Sequence, residues 1–404
     1  MVRYILVDDA VGGQKENLQP LIENVEYGVD GEIQIDPVYP DDFGEQRKRL
    51  GREEPDGVIL DLRLDEFAPS GEEERKGRKK QDYRALGLAQ EIRTRATEGN
   101  VGEFPIVLWS YDDKLKRSYT KDNTGHDLFD LKCLKEDLRN VRKAGEVATR
   151  LLSLSRGYEK ILEARNRKRG PGPQFYKFLG FDSDPEFLDP RLLSHFEGHD
   201  TPIPAHEYAR FILNQLLESP DHIRHPLEIS GPLISEDILA ARLGVEIEKS
   251  NGWEHVLDAF PEETRYQGPF SQGWKRWWAH SVEEWWKSLP NCEGSLRHME
   301  AEKRVEILNE ALDLNGLVAA TPIVEGYSSE FWTVCQGSDL DSVKDPLDPI
   351  DGFPLDRKNE QPWQDELYIS EERAIRGVHH EKGYQIDPLE KKRLKNLKQK
   401  RRDN

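Results

Sequence analysis

Short apolar runs at 4–7, 32–37, 57–60, 106–109 and 128–131 are separated by stretches whose apolar residues recur every three or four positions. Runs of this length between turn residues read as buried strands. The stretches near 15–25, 42–51, 83–95 and 114–118 read as amphipathic helices. Their alternation predicts a doubly wound α/β domain over 1–145, with five parallel strands in the flavodoxin-like order 2-1-3-4-5. One connection departs from the pattern: DEFAPSGEEERKGRKKQDY at 65–83 is dense in charge and poor in apolar residues, which predicts a mobile loop.

A long helix follows, spanning 135–168. Val147, Leu151, Leu154, Tyr158 and Ile161 form one apolar stripe along it, which requires cover from a partner helix, from a second copy in a homodimer, or from elsewhere in the chain. The Gly/Pro linker at 169–173 ends this helix and sets a domain boundary. Beyond it, 174–330 predicts a mainly helical domain, 331–388 a turn-rich extension, and 389–404 a basic tail forming a frayed, solvated helix.

Charge narrows the function classes. With 77 acidic against 58 basic residues and a net charge of −19, the chain as a whole repels nucleic acid and anionic membrane, leaving only local basic segments such as the tail for such contacts. No run approaches the roughly 18 apolar residues of a membrane span, and the start has no signal-peptide pattern, which predicts a cytoplasmic protein. Cys133, Cys292 and Cys335 are too few and too scattered for a disulfide framework.

Candidate chemistry collects where ligands of doubly wound folds bind, outside the carboxyl ends of the strands. The first strand ends in Asp8 and Asp9, the third in Asp61, the fourth in Ser110 and the fifth, as bounded above, in Lys132. Three converging carboxylates need a cation among them, and an all-oxygen set of this kind suits Mg²⁺. A lysine and a hydroxyl beside them can hold the oxygens of a phosphoryl group moving onto Asp61, the nucleophile.

These residues sit in local sequences that resemble the receiver domains of two-component response regulators. YILVDDA is similar to the family's first strand and acidic pair, PDGVILDLRLDE to its third strand with Asp56 five positions before the phosphoacceptor, FPIVLWS to its fourth, and RALGLAQEIR to the start of its third helix. GHDLFDLKCL aligns on the family's Gly-Ala-x-x-aromatic-x-x-Lys-Pro through Gly125, Phe129 and Lys132. The resemblance implies Mg²⁺ on Asp9, Asp61 and the backbone carbonyl of Arg63, with Asp8 assisting through water. It also implies phosphoryl contacts from Lys132 and Ser110, and an aromatic switch at Phe129. It implies a sensor histidine kinase or phosphodonor as partner, self-phosphorylation and dephosphorylation as the only catalysis, and a bacterial regulatory or defence system as the setting. Departures are Cys133 for the proline, His126 for the alanine, Asp65 for a proline after the phosphoacceptor, and the bulky Tyr111 after Ser110.

In the second half, a protein-binding output domain is the leading expectation. His195, His199, Asp200 and His206 have a spacing compatible with a metal, but Gly198 and the prolines oppose a helix there, and His222 and His225 rank lower. The stretch 235–260 has the rhythm of a helix-turn-helix, the basis of a competing reading as a DNA-binding regulator. Glu246, Glu248, Glu254 and Asp258 on its second helix would repel phosphate, which favours a structural helix pair. Trp274, Trp277, Trp278, Trp285 and Trp286 recur at helical spacings, read as core ahead of a stacking platform. A receiver that binds partners without being phosphorylated is the remaining alternative.

Overall fold

Strands of a parallel sheet covered by helices on both faces must be apolar on both sides, and the three central strands are: Tyr4–Val7, Val58–Leu60 and Ile106–Trp109 are fully buried or nearly so. The computed structural model describes residues 1–12, 17–69, 71–118, 127–166, 175–183, 185–196, 203–217, 231–292, 294–338, 343–356 and 361–403. Its elements begin β1 (Val2–Val7), α1 (Gln19–Tyr27), β2 (Ile33–Val38), α2 (Phe43–Glu53), β3 (Gly57–Asp61), α3 (Gly71–Arg75), α4 (Ala85–Thr97), β4 (Ile106–Ser110), α5 (Asp112–Ser118), β5 (Leu131–Leu134) and α6 (Val141–Asn166). The five strands pair in parallel in the order β2-β1-β3-β4-β5, the expected topology.

Two boundaries differ from expectation in ways that matter. The last strand runs Leu131–Leu134, three residues beyond the predicted 128–131. The N–H of Asp130 donates to the Ile106 carbonyl, and the Ile106 N–H donates to the Asp130 carboxylate at 2.8 Å, so residues 129–130 lie at the entry of β4 rather than at its exit. The reason is position in the sheet. As an edge strand with one face partly solvated, β5 alternates, burying Leu131 and Cys133 and leaving Lys132 and Leu134 half-buried. A search for a continuous apolar run therefore favours Leu128–Phe129 just upstream.

The other concerns 65–83. It contains α3, and Arg78 pairs with Asp41 and Glu73, while the Tyr83 hydroxyl donates to the Asp41 carbonyl at 2.8 Å. Part of this charged segment is thus tied to the exit of β2.

The chain divides into two compact units: Met1–Ser183, Ser194–Leu213 and Gly268–Trp274 form the first; Asp184–Leu193, Asn214–Gln267 and Lys275–Asn404 form the second. The linker at 169–173 lies outside the described residues, and the division is not a single cut there. The first unit keeps later segments because α6 needs them. Ala144, Ala148, Leu151, Leu154, Tyr158 and Ile161 are all buried along it. The sheet covers part of this face, with Tyr4 donating to the Leu151 carbonyl at 2.8 Å. Further helices follow as α7 (Phe175–Phe178) and α9 (Ala205–Phe211), which pack on α6, while α8 (Pro190–Leu193) between them belongs to the second unit. The segment 268–274 covers more of α6: the Phe270 ring lies against Gly157, where a Cβ would collide with it, and Trp274 lies under Arg150 at 5.4 Å. Of the predicted stripe, Leu151, Leu154, Tyr158 and Ile161 are thus covered from within the chain, one of the expected sources of cover, and Val147 is half-buried.

The second unit is mainly helical, with small strand pairs. Its elements are β6 (Leu233–Ile234), α10 (Glu236–Leu243), α11 (Trp253–Asp258), β7 (Trp277–Trp278), α12 (Ala279–Ser288), α13 (Ala301–Ala311), β8 (Thr333–Val334), β9 (Pro346–Leu347), β10 (Gly352–Pro354), β11 (Tyr368–Ser370), α14 (Glu371–Arg376), α15 (Val378–Glu381) and α16 (Lys391–Asp403). Ser235 caps α10 by accepting from the Ile238 N–H, and Gly244 ends it in the left-handed region at φ 71°. One core gathers Ile238, Leu243, Trp253, Trp277, Trp285, Trp286 and Leu308. The turn-rich extension has a core of its own in Cys335, Phe353, Leu355, Ile369 and Leu394.

Candidate functional site

Parallel strands place their carboxyl ends at one edge, and there Asp8, Asp9 and Asp61 bring carboxylate oxygens within 4.8 Å of one another, all three buried. It is the one such grouping of potential metal ligands among the described residues. Each carboxylate is held by the turn that follows its strand or by a neighbouring one. Asp8 accepts from the Ala10 N–H at 2.9 Å, Asp61 from the Arg63 N–H at 2.9 Å, and one oxygen of Asp9 from the N–H groups of both Glu66 and Phe67 at 2.7 Å.

The cation among them is Lys135. Its Nζ lies 2.8 Å from Asp8 Oδ2 and 2.9 Å from Asp61 Oδ1, with the lysine and both acids essentially inaccessible to solvent. Lys132 stands inside β5, opposite Leu108, and alternation sends its side chain to the sheet face away from Cys133 and Lys135. Sequence reasoning chose the wrong lysine of LKCLK because it ended the strand three residues early. The signal that separates them is the polar Glu136-Asp137 pair opening the 3-10 turn Asp137–Arg139, which places the strand end just before Lys135. Phe129 moves with this correction. Buried before the start of β5, it lies at the sheet end opposite the acids, and the position three residues before the site lysine is Lys132. Gly125 and His126 lie outside the described residues.

Burial is the dominant electrostatic influence. It raises the Asp61 carboxyl to about 7, with the charge of Asp8 adding and those of Lys135 and Lys114 opposing. Burial likewise raises Asp9 to about 6, against the two backbone donors that favour its charged form. Asp65 is paired with Arg63 at 2.6 Å and faces Arg84 at 3.7 Å, so its charge is offset. Over the site, the Tyr111 ring lies 5.3 Å from Lys135 Nζ and 5.7 Å from Lys114 Nζ, and Lys114 reaches Glu66 at 2.8 Å. The buried polar atoms without a hydrogen-bond partner among the described residues include two that face this site, Asp9 Oδ1 and Ser110 Oγ. A divalent cation would satisfy the first and a phosphoryl oxygen the second.

The remaining candidates separate from this site. His195 stacks on Phe211 with ring centres 4.1 Å apart, and burial drives His206 down to about 3, so it is neutral. His199, Asp200, His222 and His225 lie outside the described residues. In 235–260 the second helix, α11, is only six residues long and buries Trp253, Val256 and Leu257, leaving no apolar-free face long enough to read a groove. The five tryptophans between 274 and 286 are all buried.

The sheet order is flavodoxin-like, and its carboxyl edge carries the acidic pair, the third-strand aspartate, the fourth-strand serine and the lysine just past the fifth strand. No family model matches the chain, and no curated protein does. Solved structures similar to it include a mutant of RitR, at 13% identity and a TM-score of 0.27, over 42% of this chain and 59% of that one. Another is NtrX from Brucella abortus, at 16% identity and a TM-score of 0.28, over 44% of this chain and 33% of that one. Likenesses this distant carry no functional argument, so the functional reading rests on the residues themselves. No described helix is long and apolar enough to cross a membrane.

Proposed function

We propose that the first unit is a phosphoryl-accepting switch in which Asp61 is phosphorylated by a sensor histidine kinase or a small phosphodonor, altering how the second unit engages a protein partner. The observation that carries this reading is the buried Lys135 ammonium between Asp8 and Asp61. A structural ion pair needs one acid and one base, whereas here two buried acids share one base and a third buried acid lies beside them at a ligand-binding edge.

The donor set fits Mg²⁺ on Asp8, Asp9, Asp61 and the backbone carbonyl of Arg63, and when bound the ion neutralises the carboxylates and orients phosphoryl oxygens. The chain's own groups do the rest. A carboxylate oxygen of Asp61 bonds to phosphorus as the donor's P–N or P–O bond breaks, and the leaving atom takes its proton from solvent. Lys135 exchanges its contact with Asp61 for the phosphoryl oxygens, and the Ser110 hydroxyl, which has no acceptor at rest, donates to another. Movement of β4, β5 and α6 toward the modified residue then supplies the change that a partner reads.

The two lysines make the test. With a small phosphodonor and Mg²⁺, Lys135→Ala slows or abolishes phosphate incorporation by tenfold or more, while Lys132→Ala stays within about twofold. Equal, measurable rates in all three proteins would show that Lys135 takes no part, and no incorporation in any of them would assign the chain to receivers that bind without being phosphorylated.

A further inference from the structure

The basic tail is a docked helix. Leu394 is buried in the core of the turn-rich extension and Leu397 packs against it, while the Arg393 guanidinium lies 4.6 Å from the Phe353 ring. With that face fixed, Lys391, Lys392, Lys395 and Lys400 are exposed and Lys398 half-exposed. Lys391, Lys395 and Lys398 stand at i, i+4 and i+7, one row along α16 spanning about 10 Å.

Elsewhere on the surface, Lys48, Lys287 and Lys303 each meet a glutamate one turn away, at 2.7, 2.7 and 2.8 Å. None of the five lysines of α16 forms an ion pair among the described residues, although the chain carries 77 acidic residues. Other exposed lysines, such as Lys79, Lys160 and Lys275, also stand without an ion pair among the described residues, but singly, whereas α16 sets five lysines on one helix. Like charges at this spacing repel, so the helix holds an uncompensated field in place. The row continues to Arg401, which with Arg373, Arg376 and Glu372 lines a cleft of about 340 Å³; Arg376 and Arg401 share Glu372 there, and Arg373 pairs with Asp345.

We infer that α16 and the adjoining arginine cleft form a binding surface for the phosphate backbone of a nucleic acid, independent of base sequence. An anionic membrane is a poorer occupant, because an interfacial helix inserts apolar residues and both leucines here are turned into the protein. An acidic peptide is poorer too, since the outward positions between the lysines are Asn396 and Gln399, which offer no apolar anchor but serve well as phosphate donors. The surface belongs to the second unit and stands whether or not Asp61 is phosphorylated.

The test is binding of the full chain to a labelled DNA duplex of about 20 bp at several salt concentrations, beside polyglutamate and phosphatidylserine vesicles as competing polyanions. The duplex binds, and the combined substitution Lys391→Gln, Lys395→Gln and Lys398→Gln weakens it at least tenfold at 50 mM salt. The same change flattens the log–log salt slope by about 2.7, near 0.9 per lost phosphate contact. Glutamine has nearly the helix propensity of lysine, so circular dichroism and the unfolding temperature stay unchanged, and Arg376→Gln weakens binding further. No binding at 50 mM salt, a slope unaltered by the triple substitution, or tighter binding to polyglutamate or vesicles than to the duplex would overturn the inference.

Discussion

At the residue scale, three carboxylates and one lysine share a buried space, and the balance among them depends on pH. Asp61 and Asp9, raised to about 7 and about 6, hold protons more tightly in the folded chain than in the unfolded one, where both titrate near 3.8. Stability from this source is fully present below pH 3.8 and is lost as pH rises through 6 and 7, because the unfolded state releases the protons more readily. A divalent cation opposes that loss by favouring the ionised acids. Mg²⁺ should therefore raise the unfolding temperature at pH 8 and have little effect at pH 5. In metal-free buffer at pH 8, Asp61→Asn should itself raise it by about 2 °C or more, removing a buried charge. Differential scanning calorimetry checks both, and a Mg²⁺ effect that grows toward acid pH would contradict the account. The four acidic and hydroxyl positions of this site were legible from sequence, since strand-end residues of central strands follow continuous apolar runs whose ends are sharp. The lysine was not, because β5 is an edge strand whose alternation blurs its boundary, and an error of three residues replaced Lys135 by Lys132.

At the element scale, the long helix illustrates what periodicity can and cannot establish. Its stripe was evident, and so was the need to cover it. What covers it was not, because Gly268–Trp274 lies more than a hundred residues downstream and pattern alone carries no information about such distant contacts. Phe270 adopts φ 70°, a left-handed conformation rare for an aromatic residue, which only a strong contact would maintain. Gly157 supplies the flat surface that accepts its ring, 6.4 Å from the ring of Tyr158. Tyr158 in turn donates to Asp130 at 2.8 Å, and Asp130 pairs with Arg93 at 2.6 Å, linking α6 to α4 and the entry of β5. Phe270→Ala should cost about 3 kcal/mol or more in urea-induced unfolding, and Gly157→Val a comparable amount by overpacking. A loss below about 1 kcal/mol for Phe270→Ala would show that the segment merely rests on the helix.

At the scale of the whole molecule, the two units are interleaved in sequence. The first unit recruits Ser194–Leu213 and Gly268–Trp274, so a fragment cut at the Gly/Pro stretch would leave part of α6 uncovered. A fragment of residues 1–173 is expected to aggregate or to bind a hydrophobic dye strongly, whereas the full chain unfolds cooperatively. A soluble, cooperatively folded fragment would contradict this. The same interleaving gives α6 several covalent routes to the second unit, a basis for the proposed transmission from Asp61. That proposal turns on whether the carboxylate is chemically competent. The most direct measurement is intact-mass analysis after incubation with a small phosphodonor and Mg²⁺, with the modified residue then located by fragmentation. The account predicts one phosphate-sized gain, on Asp61, lost in Asp61→Asn and on removal of Mg²⁺. No gain, or a gain that persists in Asp61→Asn, would contradict it.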